Sequence, residues 1–112
     1  MSFDEGLAER LREALQSYHG VTEKKMFGGL AFMSPDYMFL GIVDDVLMAR
    51  VGPDQYDEAL ARPHVRVMDF TGKAMKGYVF VDPPGFEDDS ELGGWIERCH
   101  RFVQSLPLKK RK

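Results

Sequence analysis

Apolar side chains recur every three or four positions at the start of this chain, crowd into near-continuous runs in its middle, and return to helical spacing at its end. Leu7, Leu11, Ala14, Leu15 and Tyr18 share one helical face, which predicts a helix over residues 3–19. Ser2-x-x-Glu5 has the form of a capping box, and Gly20 supplies the stop because it tolerates the left-handed conformation. Strand-like runs follow at 24–33, 37–43 and 46–51, separated by Ser34-Pro35-Asp36 and Asp44-Asp45. Connections that short demand antiparallel neighbours. A short helix is expected over 52–63, with Pro53 in its first turn, Asp54, Asp57 and Glu58 near its positive end, and Pro63 as its stop. Residues 64–70 alternate, 71–77 turn, 78–82 run back, and Pro83-Pro84-Gly85 ends that hairpin. Leu92, Trp95, Ile96, Cys99, Phe102, Val103 and Leu106 mark a last amphipathic helix closed by Pro107. The order α-β-β-β-α-β-β-α predicts an α+β domain with an antiparallel sheet of about five strands and three helices. Residues 1–107 read as one domain and 108–112 as a basic C-terminal tail.

The central strands are apolar on both faces. In the first, Met26, Leu30 and Phe32 oppose Phe27, Ala31 and Met33; in the second, Met38, Leu40 and Ile42 oppose Tyr37, Phe39 and Val43. A half-solvated antiparallel strand alternates apolar with polar, so both faces are expected to be covered. Either the helices divide between the two faces, or a second subunit covers what they leave, which predicts a homodimer. Seven methionines, most of them on or beside strands, fill a thin core or furnish an adaptable partner surface.

Charge narrows the class of partner. The net charge is −3, but Lys109-Lys110-Arg111-Lys112 carry four of the 15 basic side chains, so residues 1–108 hold 11 against 18 acids, a net of −7. An acidic body is a poor match for a phosphate backbone, so direct nucleic-acid binding is not expected. The acidic N-terminus lacks the basic region of a signal peptide, and no apolar run approaches a membrane span, which predicts a cytoplasmic protein. Cys99 is the single cysteine, so the chain forms no internal disulfide.

Candidate chemistry is sparse. Gly28-Gly29 lies in a strand-like run without the spacing of a dinucleotide fingerprint or a phosphate-binding loop. Glycine there marks a bulge or the close approach of another backbone; the alternative is a ligand or partner laid on bare main chain. His19, His64 and His100 lie on three different elements, Asp44 and Asp45 are turn residues, and Cys99 has the spacing of a core residue. No catalytic residues, metal ligands or cofactor motif emerge, so the chain reads as non-enzymatic. Lys24 and Lys25 before the glycines, Arg50 at the end of a strand, and Lys73 and Lys76 around a turn would form a basic patch if the sheet gathers them. With Gly28 and Gly29 they are the candidate partner-binding residues.

Three motifs taken together resemble one family: Met26-Phe27-Gly28-Gly29, Asp69-Phe70-Thr71-Gly72 and Met75-Lys76-Gly77-Tyr78. With the intervening strands and the helix bearing Trp95, they are similar to the TfoX N-terminal domain, the family of the TfoX/Sxy competence regulators, over roughly Leu7 to Leu106. The resemblance implies an α+β fold akin to secretion-chaperone-like domains. It also implies, for full-length members, a part in switching on DNA-uptake genes alongside a cyclic-AMP receptor protein. Full-length members carry a helical C-terminal domain, so this chain is expected to be a stand-alone N-terminal domain. Two functions follow as expectations. One is a small protein-interaction module, an accessory regulator of transcription. The other is a small-ligand-binding domain or enzyme with a pocket beside the Phe27-Gly28-Gly29 strand.

Overall fold

The computed structural model describes residues 3–26, 29–34, 37–69 and 74–106. Helix α1 (Glu5–Ala14) runs into a 3-10 turn at Leu15–Ser17, followed by β1 (Thr22–Met26), β2 (Gly29–Ser34), β3 (Tyr37–Val43) and β4 (Val46–Arg50). A short α2 (Tyr56–Leu60), β5 (Val65–Asp69), β6 (Ala74–Val81), a 3-10 turn at Pro83–Phe86 and α3 (Asp89–Gln104) complete the chain. All six strands join one antiparallel sheet in the order β1-β2-β3-β4-β6-β5.

The α+β class, the three helices and the antiparallel sheet match expectation, with six strands where about five were expected. The single strand expected at 24–33 is two, because β1 and β2 pair antiparallel with Met26 opposite Gly29. Strand β6 starts at Ala74, inside the expected turn, where it pairs with Asp69. Helix α1 also starts later than the capping box predicts. Phe3 is buried and bridged to Asp44, and the Asp4 amide donates to the Asp44 carbonyl at 2.6 Å, so the chain is still extended there. Asp4 is therefore the N-cap, its carboxylate accepting from the Gly6 amide at 2.9 Å. Ser2, the expected cap, lies outside the described residues.

All three helices pack on one face of the sheet. Leu7, Leu11, Leu92, Trp95, Ile96 and Val103 from the long helices and Ala59 from α2 close over Leu30, Phe32, Leu40, Ile42, Leu47, Val79 and Val81. A β-bulge enlarges this core. Phe32 pairs with Leu40 and Met33 with Met38, leaving Phe39 as the extra residue of β3. The break in alternation lets Phe39 and Leu40, neighbours in sequence, both enter the helix-side core, each fully buried.

A second irregularity ends the β4–β6 pairing. Val51 and Gly52 both donate to the carbonyl of Gly77, at 2.8 and 3.0 Å, and Gly52 and Gly77 take φ of +88° and +93°. Those backbone angles are where glycine is needed. A side chain at Gly52 would also enter the ring of Phe102.

Candidate functional site

The face of the sheet away from the helices is built from strand side chains alone among the described residues. Met48, Met68 and Phe80 are buried there, with Met38, Val43, Val46 and Tyr78 half-buried around them. The helices therefore do not divide between the two faces, although the strands are apolar on both. Strand register explains how this face is organised. Lys24, Ala31, Gly41, Met48, Phe80 and Arg66 lie directly opposite one another from edge to edge. A cation thus sits at each end of the row, with two small residues, a thioether and the Phe80 ring between. The Met48 methyl group lies over Gly41, where a Cβ has no room. Arg66 packs 5.4 Å from the Phe80 ring centre and forks onto Asp82 at 2.8–3.2 Å, which holds the Asp82 carboxyl below its usual range.

The candidate partner-binding residues do not converge. Lys24 and Lys25 are exposed on edge strand β1, Lys76 is exposed on β6, and four strand spacings, about 19 Å, separate those strands. Lys24 shares the methionine-bearing face, whereas Lys25 pairs with Leu30 on the helix side. Arg50 stands in a cage of rings, its guanidinium carbon 5.4 Å from Tyr37, 5.4 Å from Tyr78 and 5.5 Å from Phe102. Arg50 and Lys76 lie at one end of adjacent strands, since Arg50 pairs with Tyr78. Gly28 and Lys73 lie outside the described residues. Gly29 is accounted for by packing: a Cβ there would land on the carbonyl oxygen of Ile42 in β3.

A cleft that sequence reading did not find lies on the other side of the molecule. Arg62, His64, Gly85, Gly94, Trp95 and Arg98 line a cavity of about 410 Å³, with Glu91 at its wall. The Asp82 amide donates to the His64 carbonyl at 2.8 Å, the Gly85 amide to the Asp82 carbonyl at 2.8 Å, and Trp95 Nε1 to the Gly85 carbonyl at 3.3 Å. His64 has a φ of +67°, an uncommon backbone state for a side-chain-bearing residue. The guanidiniums of Arg62 and Arg98 stand 5.8 and 5.4 Å from the Trp95 ring centre. By contrast, the cavity beside β2, lined by Arg12, Leu15, Val21, Glu23 and Phe32, holds only about 150 Å³. Arg12 and Glu23 already join across it at 2.7 Å.

Among the described residues no three histidine, cysteine or carboxylate side chains gather as a metal set. Cys99 is fully buried, and that burial pushes its thiol up to about 12, so the thiolate needed for nucleophilic chemistry is not formed at neutral pH. No helix among the described residues is long and apolar enough to cross a membrane.

His100 packs edge-on against Tyr18 and Phe39, with ring centres 4.6 and 5.7 Å away. Burial lowers its pKa below the unfolded value. Between the two values the unfolded chain binds the extra proton, so this group's stabilisation is complete above about pH 6.5 and is lost as pH falls through the folded pKa. The His100 ring is expected to titrate by NMR below that midpoint, and His100→Phe to flatten the loss of stability between neutral and mildly acidic pH. An unshifted midpoint would contradict this.

These features define a class: an α+β domain whose single antiparallel sheet carries helices on one face and a methionine-bearing apolar layer on the other. The profile of the TfoX N-terminal domain matches residues 13–103, nearly the whole chain, and the protein belongs to that family. No curated protein and no solved structure matches the chain.

Proposed function

We propose that the protein is a small non-enzymatic protein-interaction module, an accessory regulator of transcription acting in the cytoplasm through a protein partner and not by reading DNA. Family membership supports a competence-related regulatory domain. The observation that carries the interaction reading is the sheet face opposite the helices. Met38, Val43, Val46 and Tyr78 are half-buried on it, with no helix over them among the described residues. Thioether side chains repack readily against different surfaces, which suits them to recognition. A second copy of the chain is one possible occupant of this face, and sedimentation of the purified protein tests it.

The experiment is capture of partners from nuclease-treated lysate by the tagged protein, compared with Met38→Glu/Val46→Glu. Discrete partners lost in the variant at equal folding are the expected result; identical capture by both would remove the face from the account. A subsidiary prediction concerns charge. Reversing Lys73 and Lys76 to glutamate is expected to weaken partner capture several-fold while moving stability by no more than about 0.5 kcal/mol, as surface substitutions do. Unchanged capture would detach these lysines from the interface.

A second reading, small-ligand binding, is favoured by one observation: the preformed cleft at Trp95, whose volume of about 410 Å³ falls within the usual range for ligand sites. The pocket lies between the 62–64 and 84–85 loops and α3, not beside Gly29.

A further inference from the structure

We propose that the cleft at Trp95 binds a phosphomonoester, with Arg62 and Arg98 holding the phosphate and Gly94 giving the ligand access to the backbone of α3. The proposal rests on the second reading above and names its ligand class. Three independent observations carry it.

The first is charge. Two guanidiniums line one cleft and share one indole, on a chain whose body is strongly acidic. Arg98 is fixed by Gln55 Oε1 at 2.8 Å and approached by Glu58 at 3.8 Å. Arg62 is exposed and forms no ion pair or side-chain hydrogen bond with any described residue, so its fork of N–H donors is open to a ligand. Two positive groups lining one cleft favour an anionic ligand. A phosphomonoester carries about −1.5 to −2 at neutral pH and offers three acceptor oxygens, which matches two forks better than a single carboxylate does.

The second is rigidity. Pro63 and Pro84 sit in the two loops that wall the cleft, and main-chain hydrogen bonds tie those loops together through Asp82. A site that needs no rearrangement loses less on binding.

The third is glycine chemistry. Gly94 lies inside α3, where glycine is weaker than alanine in holding a helix, and a Cβ built there meets nothing within 4 Å. At Gly29 the β3 backbone and at Gly52 the Phe102 ring and a positive φ stand against a side chain; at Gly94 nothing in the protein does. Because Gly94 lines the cleft, a ligand resting against bare helix accounts for it. Nothing in the structure explains Gly93. Glu91, across the same wall, is an acceptor for a hydroxyl or amine on the rest of the ligand.

The test is an amide NMR titration of the whole chain with adenosine 5′-monophosphate and glucose 6-phosphate. Adenosine serves as the phosphate-free arm and succinate as the carboxylate arm. At least one phosphate ester is expected to shift signals of residues 62–64, 85 and 90–98 saturably at millimolar concentration, with adenosine and succinate at least about tenfold weaker. Gly94→Ala is expected to raise the melting temperature by a few degrees and to weaken binding at least about tenfold. Arg62→Ala is expected to weaken it similarly without changing stability. Binding of adenosine or succinate equal to that of the esters would overturn the phosphate assignment while leaving a ligand site. No localised shift with any of the four would overturn the ligand reading together with it. Undiminished binding by Gly94→Ala, or a fall in its melting temperature, would overturn the role given to the glycine.

Discussion

Gly29→Ala is expected to destabilise the purified protein by about 3 kcal/mol, at the upper end of what overpacking a well-filled interior produces. The new Cβ would fall on the carbonyl oxygen of Ile42, which belongs to the backbone of β3 and has no rotamer with which to yield. Relief requires the β2–β3 pairing to move, and that pairing lies one strand in from the sheet edge. Denaturant unfolding of the isolated protein measures the effect directly. A loss of stability with no partner present is the signature of packing. A variant as stable as the parent would return Gly29 to the recognition surface.

Trp95→Ala is expected to cost more, about 3–5 kcal/mol, the range for removing a large aromatic from a core. The indole is 5% exposed, belongs to the helix-side core, donates to the Gly85 carbonyl and supports two guanidiniums. Its removal opens a void beneath α3 and leaves the Gly85 carbonyl without this donor. Trp95→Phe restores part of the packing but not the N–H, and is expected to recover more than half of the loss in the same unfolding assay. Equal destabilisation by both substitutions would mean that the hydrogen bond, not the ring volume, holds this part of the fold.

The glycines show where sequence reasoning succeeded and where it stopped. Local spacing exposes the amphipathic faces of α1 and α3 and the Asp44-Asp45 reversal, where Asp44 takes a φ of 55°. Close packing at Gly29 was legible because glycine in a strand costs stability without such a cause. The split of one expected strand into β1 and β2 was harder to see, since the apolar run continues through Met26, Phe27 and Leu30 with no polar break. Phe39 carries no local mark of a bulge; its burial beside Leu40 comes from cross-strand register.

The cleft was illegible for a stronger reason. Arg62 and Arg98 are far apart in sequence and line one cleft only because β5 and β6 bring the 62–64 loop beside α3. One signal was available in the sequence: Gly93-Gly94 inside a predicted helix is as anomalous as Gly28-Gly29 in a strand. The basic side chains do not all gather in one patch, for the complementary reason. Lys24 and Lys76 have the same chemistry, but sheet order places them four strands apart.

The sheet face opposite the helices is the surface proposed to meet a partner. The most direct measurement is site-specific photo-crosslinking in cells, with benzoylphenylalanine at Val46 on that face and, separately, at Gln16, exposed beyond α1. A discrete adduct is expected from Val46 and none from Gln16. An adduct from Gln16 alone, or none from either position in a folded protein, would contradict it.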